Sequence, residues 1–282
     1  MHPFLRHEYL WWFILLGSHY AFTLSFSSVQ YASRSPELNE LSLDSPLLVS
    51  DVSKSSTVVH QKHPYLSSQS SASVSCLDLE GVGSFNTTCL LHSNLRLNSD
   101  LYIFGTGNLE ILPHVSIVCP IVGCSITFNL SGNVNIGQQA MVVAGSIVLS
   151  AANLTMDYGS SVNTTALGGS PPSQTSGTPF GYDGAGGGHG GRGASCVKNN
   201  KTSYWGGDVY AWSSLSEPWS YGSKGGGTSA KARFGGNGGG RVKLLVKDML
   251  HINGSVTAEG GYGGSASGGG SGGSIIVHAV KL

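Results

Sequence analysis

The residues whose types best suit chemistry are His189 and Arg192, set in Gly186-Gly187-Gly188-His189-Gly190-Gly191-Arg192-Gly193. A histidine exchanges a proton near neutral pH, and an arginine beside it can hold an anion. Glycoside hydrolysis, however, needs two spaced carboxylates. Asp183 and Asp208 stand alone, and no acidic pair sits near a strand end. His189 is therefore expected to be a loop histidine without a catalytic task. A metal held by His189 and Cys196 would need further ligands at closing spacing, and none is spaced for it. Gly268-Gly269-Gly270-Ser271-Gly272-Gly273 fits a G-x-G-x-x-G pattern but precedes a strand instead of opening a helix. No catalytic, cofactor-binding or metal-ligating residue is expected, and no cofactor.

Aromatic chemistry is better represented. Tyr204, Trp205, Tyr210, Trp212, Trp219 and Tyr221 crowd a stretch that Gly206-Gly207 and Pro218 keep from being helical. Trp205, Trp212 and Trp219 offer flat faces for stacking on sugar rings, but the reading preferred for the cluster is that it caps an apolar end of the fold, where a terminal repeat must hide its core. Acceptor sequences for N-glycosylation occur at Asn86, Asn129, Asn153, Asn163, Asn200 and Asn253. Five cysteines make an odd set. In an oxidising compartment Cys76 pairs with Cys89 and Cys119 with Cys124, each closing a short local loop, and Cys196 is left over.

A repeat must position these residues. Asparagine, an apolar residue, any residue and a second apolar residue recur at Asn94-Leu95-Arg96-Leu97, Asn108-Leu109-Glu110-Ile111, Asn133-Val134-Asn135-Ile136 and Asn153-Leu154-Thr155-Met156. A further apolar position follows each, at Ile103, Ile117, Val142 and Val162, and Leu250-His251-Ile252 with Val256 is a shortened relative. Glycine precedes a short apolar strand at Gly145-Ser146, Gly240-Arg241 and Gly273-Ser274. Short strands repeating at intervals of about 20 residues suit a parallel β-solenoid, in which each coil covers the previous one. The expected fold is all-β, a right-handed β-helix of the pectin-lyase-like kind with glycine-rich loops; a β-sandwich of antiparallel hairpins is the alternative. Residues 181–193, 225–240 and 260–273 are so rich in glycine that they suit either stacked turns or flexible linkers.

The N-terminus reads as an export signal over residues 1–24: a weakly basic start and the short apolar run Leu10–Leu16, well under the roughly 20 residues of a span. Residues 25–75 are serine-rich and aperiodic, a disordered leader. The ordered body is expected over 76–282. No later stretch is long and apolar enough to cross a membrane. Lys and Arg balance Asp and Glu, 15 against 15, so the basic surface of a nucleic-acid binder is missing.

The strings Gly81-Val82-Gly83-Ser84-Phe85-Asn86-Thr87-Thr88-Cys89, Gly181-Tyr182-Asp183-Gly184, Trp205-Gly206-Gly207-Asp208 and Pro218-Trp219-Ser220-Tyr221-Gly222-Ser223 carry a resemblance to a family of large plant glycine-rich proteins. It continues through Gly269-Gly270-Ser271-Gly272-Gly273-Ser274-Ile275 and covers about three quarters of the chain. The family has signal peptides and is several times longer, so the resemblance implies an N-terminal portion, truncated at Leu282, with any membrane anchor belonging to a longer form. It gives Cys196 a reason to lack a partner and leaves the last coil's edge uncovered. The family's activity is uncharacterised and no functional residue carries over. The functional expectation is a non-enzymatic secreted or cell-surface glycoprotein with a structural or interaction role at the plant cell wall, its partner a wall polysaccharide or extracellular protein. A carbohydrate-binding or divergent polysaccharide-active β-helix protein is the alternative.

Overall fold

The computed structural model describes residues 74–171, 177–179, 184–198, 201–210, 217–227 and 234–282. The signal segment 1–24, the serine-rich leader as far as residue 73, Asp183, Asn200 and Trp212 lie outside the described residues.

The described chain is nearly all-β, with parallel sheets. It opens on a 3-10 turn (Leu77–Leu79) and β1 (Val82–Gly83), which pairs antiparallel with β2 (Thr88–Leu91). From there strands come in threes. The first set is β2, β3 (Leu95–Arg96) and β4 (Leu101–Gly105); the second is β5 (Asn108–Ile111), β6 (Ser116–Val118) and β7 (Ser125–Leu130). The third is β8 (Val134–Ile136), β9 (Met141–Val143) and β10 (Ser146–Ala151), followed by β11 (Leu154–Met156) and β12 (Ser161–Asn163). Residues 164–240 then intervene, carrying a small hairpin of β13 (Cys196–Lys198) and β14 (Lys201–Tyr204). The fourth set closes with β15 (Arg241–Val246). The fifth is β16 (Leu250–Ile252), β17 (Ser255–Thr257) and, after a second insertion over 258–273, β18 (Ser274–His278).

Each member of a set joins a different sheet, with orders β1-β2-β5-β8-β11-β16, β17-β12-β9-β6-β3 and β18-β15-β10-β7-β4. Beyond β1 every ladder in these three sheets is parallel, whereas the sandwich alternative requires antiparallel hairpins. Parallel sheets are ordinarily covered on both faces and apolar throughout. Here they alternate. In β7, Ile126, Phe128 and Leu130 are buried while Asn129 is exposed, so each sheet turns one apolar face to a shared core. Within it Leu95, Ile117, Val142, Val162 and Val256 stand in successive register.

Asparagine governs one corner. Asn108 Oδ1 accepts from the Asn133 backbone N–H at 2.8 Å, Asn133 Oδ1 from Asn153 Nδ2 at 2.9 Å, and Asn153 Oδ1 from the Met249 N–H at 3.0 Å. Thr88 Oγ1 ends the ladder, 3.2 Å from Asn108 Nδ2. Asn94 is out of phase with the other three: it precedes the second sheet's β3, and its Oδ1 accepts from Ser116 N–H and Oγ. Ile103 accordingly pairs with Phe128 in the third sheet, not with Ile117. Both kinds of corner use an asparagine side chain to reach the next set of strands, which is why one sequence pattern covers two structural positions. The next corner turns through left-handed residues at His114 (φ 63), Gln139 (φ 56) and Gly159 (φ 70), each three residues before its stacked Ile117, Val142 or Val162.

The two ends of the core differ. Cys76, Leu79 and Phe85 are buried at the start, where the Cys76–Cys89 disulfide ties the cap to β2. In the last set Ile252, Ile275 and Val277 are 39%, 42% and 46% exposed, although they continue the registers of Met156, Val242 and Leu244. These residues stand at the more exposed end of the core.

The glycine-rich insertions leave the same corner in consecutive sets and pack on each other. Their amides reach a given neighbouring segment every third residue: Gly268 and Ser271 donate to Gly226 and Ser223, Gly270 and Gly273 to Gly261 and Ala258. Gly236 and Gly239 donate to Gly268 and Ser271, and Gly222 and Gly225 to Gly239 and Gly236. A β-ladder would return every second residue; a step of three is that of an extended, polyproline II type helix, which has no internal hydrogen bonds and must find external ones. The segments are therefore bonded to one another, neither stacked turns nor free linkers. Their close approach excludes side chains: a Cβ on Gly238 would lie 1.9 Å from the Gly222 carbonyl oxygen, and one on Gly268 would lie 1.9 Å from that of Ala185.

Candidate functional site

The glycine-rich bundle meets the outer side of the third sheet along the strands β15 and β18. Because β15 alternates, Val242, Leu244 and Val246 fill the core while Arg241 and Lys243 point outward. The Arg241 guanidinium lies 4.5 Å from the Trp219 ring and 4.3 Å from the Tyr221 ring, and its Nε donates to Ser146 Oγ at 3.1 Å. Lys243 Nζ stands 5.0 Å from the Trp219 ring and 3.5 Å from Glu217 Oε2. These contacts hold residues 217–221 against the sheet through cation–π attraction.

Behind this layer His189 is buried between three glycine-rich segments. Its Nδ1 lies 2.8 Å from the Gly272 carbonyl oxygen, which can only accept, so Nδ1 carries the proton. Nε2 is then the acceptor for Ser220 Oγ, also at 2.8 Å. Ser274 Oγ in turn donates to the Ser220 carbonyl at 2.9 Å, and the Tyr210 ring packs 5.0 Å from the imidazole. Tyr210 is itself buried; Ser223 Oγ donates to its hydroxyl at 2.8 Å, and that hydroxyl donates to the Tyr221 carbonyl. Burial raises the Tyr210 pKa, with the Ser223 bond opposing, so the phenol keeps its proton as a donor.

A serine bonded to a histidine whose other nitrogen is held has the hydrogen-bond order of an activated nucleophile. Here the holding group is a neutral carbonyl, and Ser220 and His189 are only 7% and 9% exposed. The arrangement joins segments separated by 31 and 83 residues and acts as a rivet. Replacing His189 by Ala should strand the Ser220 hydroxyl and the Gly272 carbonyl and cost about 2 kcal/mol, measured as a lower midpoint in chemical denaturation. Sequence reasoning singled out His189 for its glycine setting, yet only the folded positions of Ser220 and Gly272 reveal its task.

The aromatic cluster divides. Tyr210 is interior, Trp219 and Tyr221 lie against cations on the sheet's outer side, and Trp205 is 67% exposed. Among the described residues, Trp219 and Tyr221 thus flank the third sheet through Arg241 and Lys243. Trp205 is followed by Gly206, on which a Cβ would lie 1.9 Å from the Gly193 carbonyl oxygen. Its backbone is thus held against the segment bearing Arg192, whose guanidinium meets Asp208 at 2.7 Å in an exposed pair. Among the described residues no His, Cys, Asp and Glu side chains gather in a group of three that could hold a metal ion.

Of the acceptor asparagines, Asn86, Asn129 and Asn253 are exposed. Asn163 is half-buried, its Oδ1 accepting from the Thr165 N–H at 2.8 Å. Asn153 is drawn into the asparagine ladder, with its Nδ2 donating to Asn133. Cys119 and Cys124 form the second disulfide, and Cys196 is free and half-buried. Two disulfides fit a protein of an oxidising, secreted or extracellular setting. No helix among the described residues is long and apolar enough to cross a membrane. The chain matches no protein-family model, no curated protein and no solved structure.

Proposed function

We propose that this chain is a non-enzymatic secreted or cell-surface glycoprotein in which three parallel sheets close into a right-handed β-solenoid. The solenoid carries the glycine-rich bundle as a rigid structural or interaction surface. The strand order supports the solenoid, since each pass supplies one strand to each sheet, and crossovers between parallel strands are right-handed almost without exception. The observation that carries the structural role is what the polar side chains do: His189, Ser220, Ser223, Ser271 and Ser274 all bond to other parts of the bundle. Resemblance to plant glycine-rich proteins supports the cell wall as the setting, with a wall polysaccharide or extracellular protein as partner. Expression of the full chain in plant cells tests this. Glycosylated protein in the medium that releases nothing from pectin is expected; unglycosylated cytosolic protein, or liberated oligosaccharides, would overturn it.

A carbohydrate-binding reading is favoured by Trp205, an exposed indole on a pinned backbone near the Arg192–Asp208 pair. A face of this kind suits a sugar ring, with the ion pair available to hydroxyl groups. On a glycan array, binding abolished by Trp205→Ala is the expected result. Signals unaffected by that change would remove Trp205 from the account.

A further inference from the structure

The outer face of the third sheet carries an apolar patch at its first strand. β4 ends the sheet order, and its outward residues Tyr102 and Phe104 are 46% and 54% exposed, while Leu101 and Ile103, which alternate with them, are buried. In the β4–β7 ladder Phe104 is directly opposite Asn129, and Tyr102 is opposite Thr127. Asn129 begins the acceptor sequence Asn129-Leu130-Ser131, and both Asn129 and Ser131 are exposed. On the other side of Asn129 its partner is Ser150, too small to offer an apolar surface. Directly opposed side chains on adjacent parallel strands stand about 5 Å apart, close enough for anything attached to one to lie on the other.

We propose that Asn129 bears an N-linked glycan whose first sugar packs on Phe104 and Tyr102, covering the patch and shielding the edge strand β4. The inference rests on the export reading above. In the modification, Asn129 Nδ2 displaces pyrophosphate from the anomeric carbon of a polyprenyl-pyrophosphate oligosaccharide. The new bond is N–C, the broken bond is C–O, and the lipid pyrophosphate leaves with the electron pair. The amide proton passes to a base of the transferase. The sugar's axial C–H groups then meet the electron-rich aromatic faces. An unmodified edge with these aromatics would be open to pairing with other chains, and the glycan removes that hazard.

The full chain secreted from plant or insect cells provides the test, with peptide mass spectrometry for occupancy and thermal melting for the contact. Asn129 should be occupied. Asn129→Gln should lower Tm by about 2–4 °C, a shift usual for one lost favourable contact in a domain of this length, and should have a clearly smaller effect in a Phe104→Ala background, where only Tyr102 remains beneath the sugar. Phe104 is more than half exposed, so its truncation leaves the core intact. Trimming the glycan to its first sugar should leave Tm unchanged. An unoccupied Asn129 in protein carrying sugar on Asn86 or Asn253 overturns this proposal and leaves export standing. Protein kept in the cytosol with no sugar overturns both. Equal effects of Asn129→Gln with and without Phe104 would refute the stacking contact.

Discussion

Gly238→Ala should destabilise the protein by about 3 kcal/mol, the upper range for overpacking, whereas Gly190→Ala should leave stability unchanged or raise it slightly. Both are glycines in glycine-rich runs, and a linker model treats them alike. In the fold they differ: a Cβ on Gly238 would lie 1.9 Å from the Gly222 carbonyl oxygen and 2.3 Å from its carbon, while Gly190 has nothing within 4 Å. The obstacle at Gly238 is backbone that is itself bonded, since the Gly222 N–H donates to the Gly239 carbonyl, so relief requires parting two segments. At Gly190 the methyl group enters open space and only reduces the freedom of the unfolded chain, worth about 0.4–1 kcal/mol in favour of folding where the conformation allows. Chemical denaturation of both variants beside the parent measures the contrast.

Phe128→Ala should cost about 3–5 kcal/mol. Phe128 is fully buried, and it stands in register between Ile103 on β4 and Leu149 on β10. Neighbouring parallel strands share such columns, so the cavity would border residues of adjacent sets and weaken more than one of them. The neighbouring Phe104 lies on the same ladder but on the outer face, and its truncation should be far milder. A large difference between these two phenylalanines in thermal melts would bear out the alternation of the third sheet; equal effects would mean that the face assignment is wrong.

The parallel repeat was legible because its rows are written by residue type. Ile117, Val142 and Val162 each follow their asparagine by the same interval, Val256 follows Leu250 by a shorter one, and all four stack in one row. Gly145, Gly240 and Gly273 likewise precede strands that pair as β10, β15 and β18. A Cβ on Gly240 would lie 2.2 Å from the Gly145 oxygen and one on Gly273 1.7 Å from that of Gly240, so this column needs glycine for close approach. The phase of Asn94 was not legible, since asparagine serves both corners with the same hydrogen-bonding habit. The order within the insertions was hidden for a different reason. A three-residue spacing of hydrogen bonds leaves no mark where nearly every residue is glycine, and composition then suggests a linker. At the candidate site, the aromatic cluster could be found from sequence, but its division could not. Which ring lies under Arg241 and which faces solvent depends on how residues 217–221 cross β15.

The ordering of the glycine-rich segments on the third sheet is the claim on which the structural role depends. Amide hydrogen exchange measures it directly. The account predicts slow exchange at Gly236, Gly239, Gly268, Gly270 and Gly273, whose N–H groups are bonded to neighbouring segments, and fast exchange at Gly190 and Gly191, for which no acceptor occurs among the described residues. Exchange at all seven positions at the rate of an unstructured chain would contradict it.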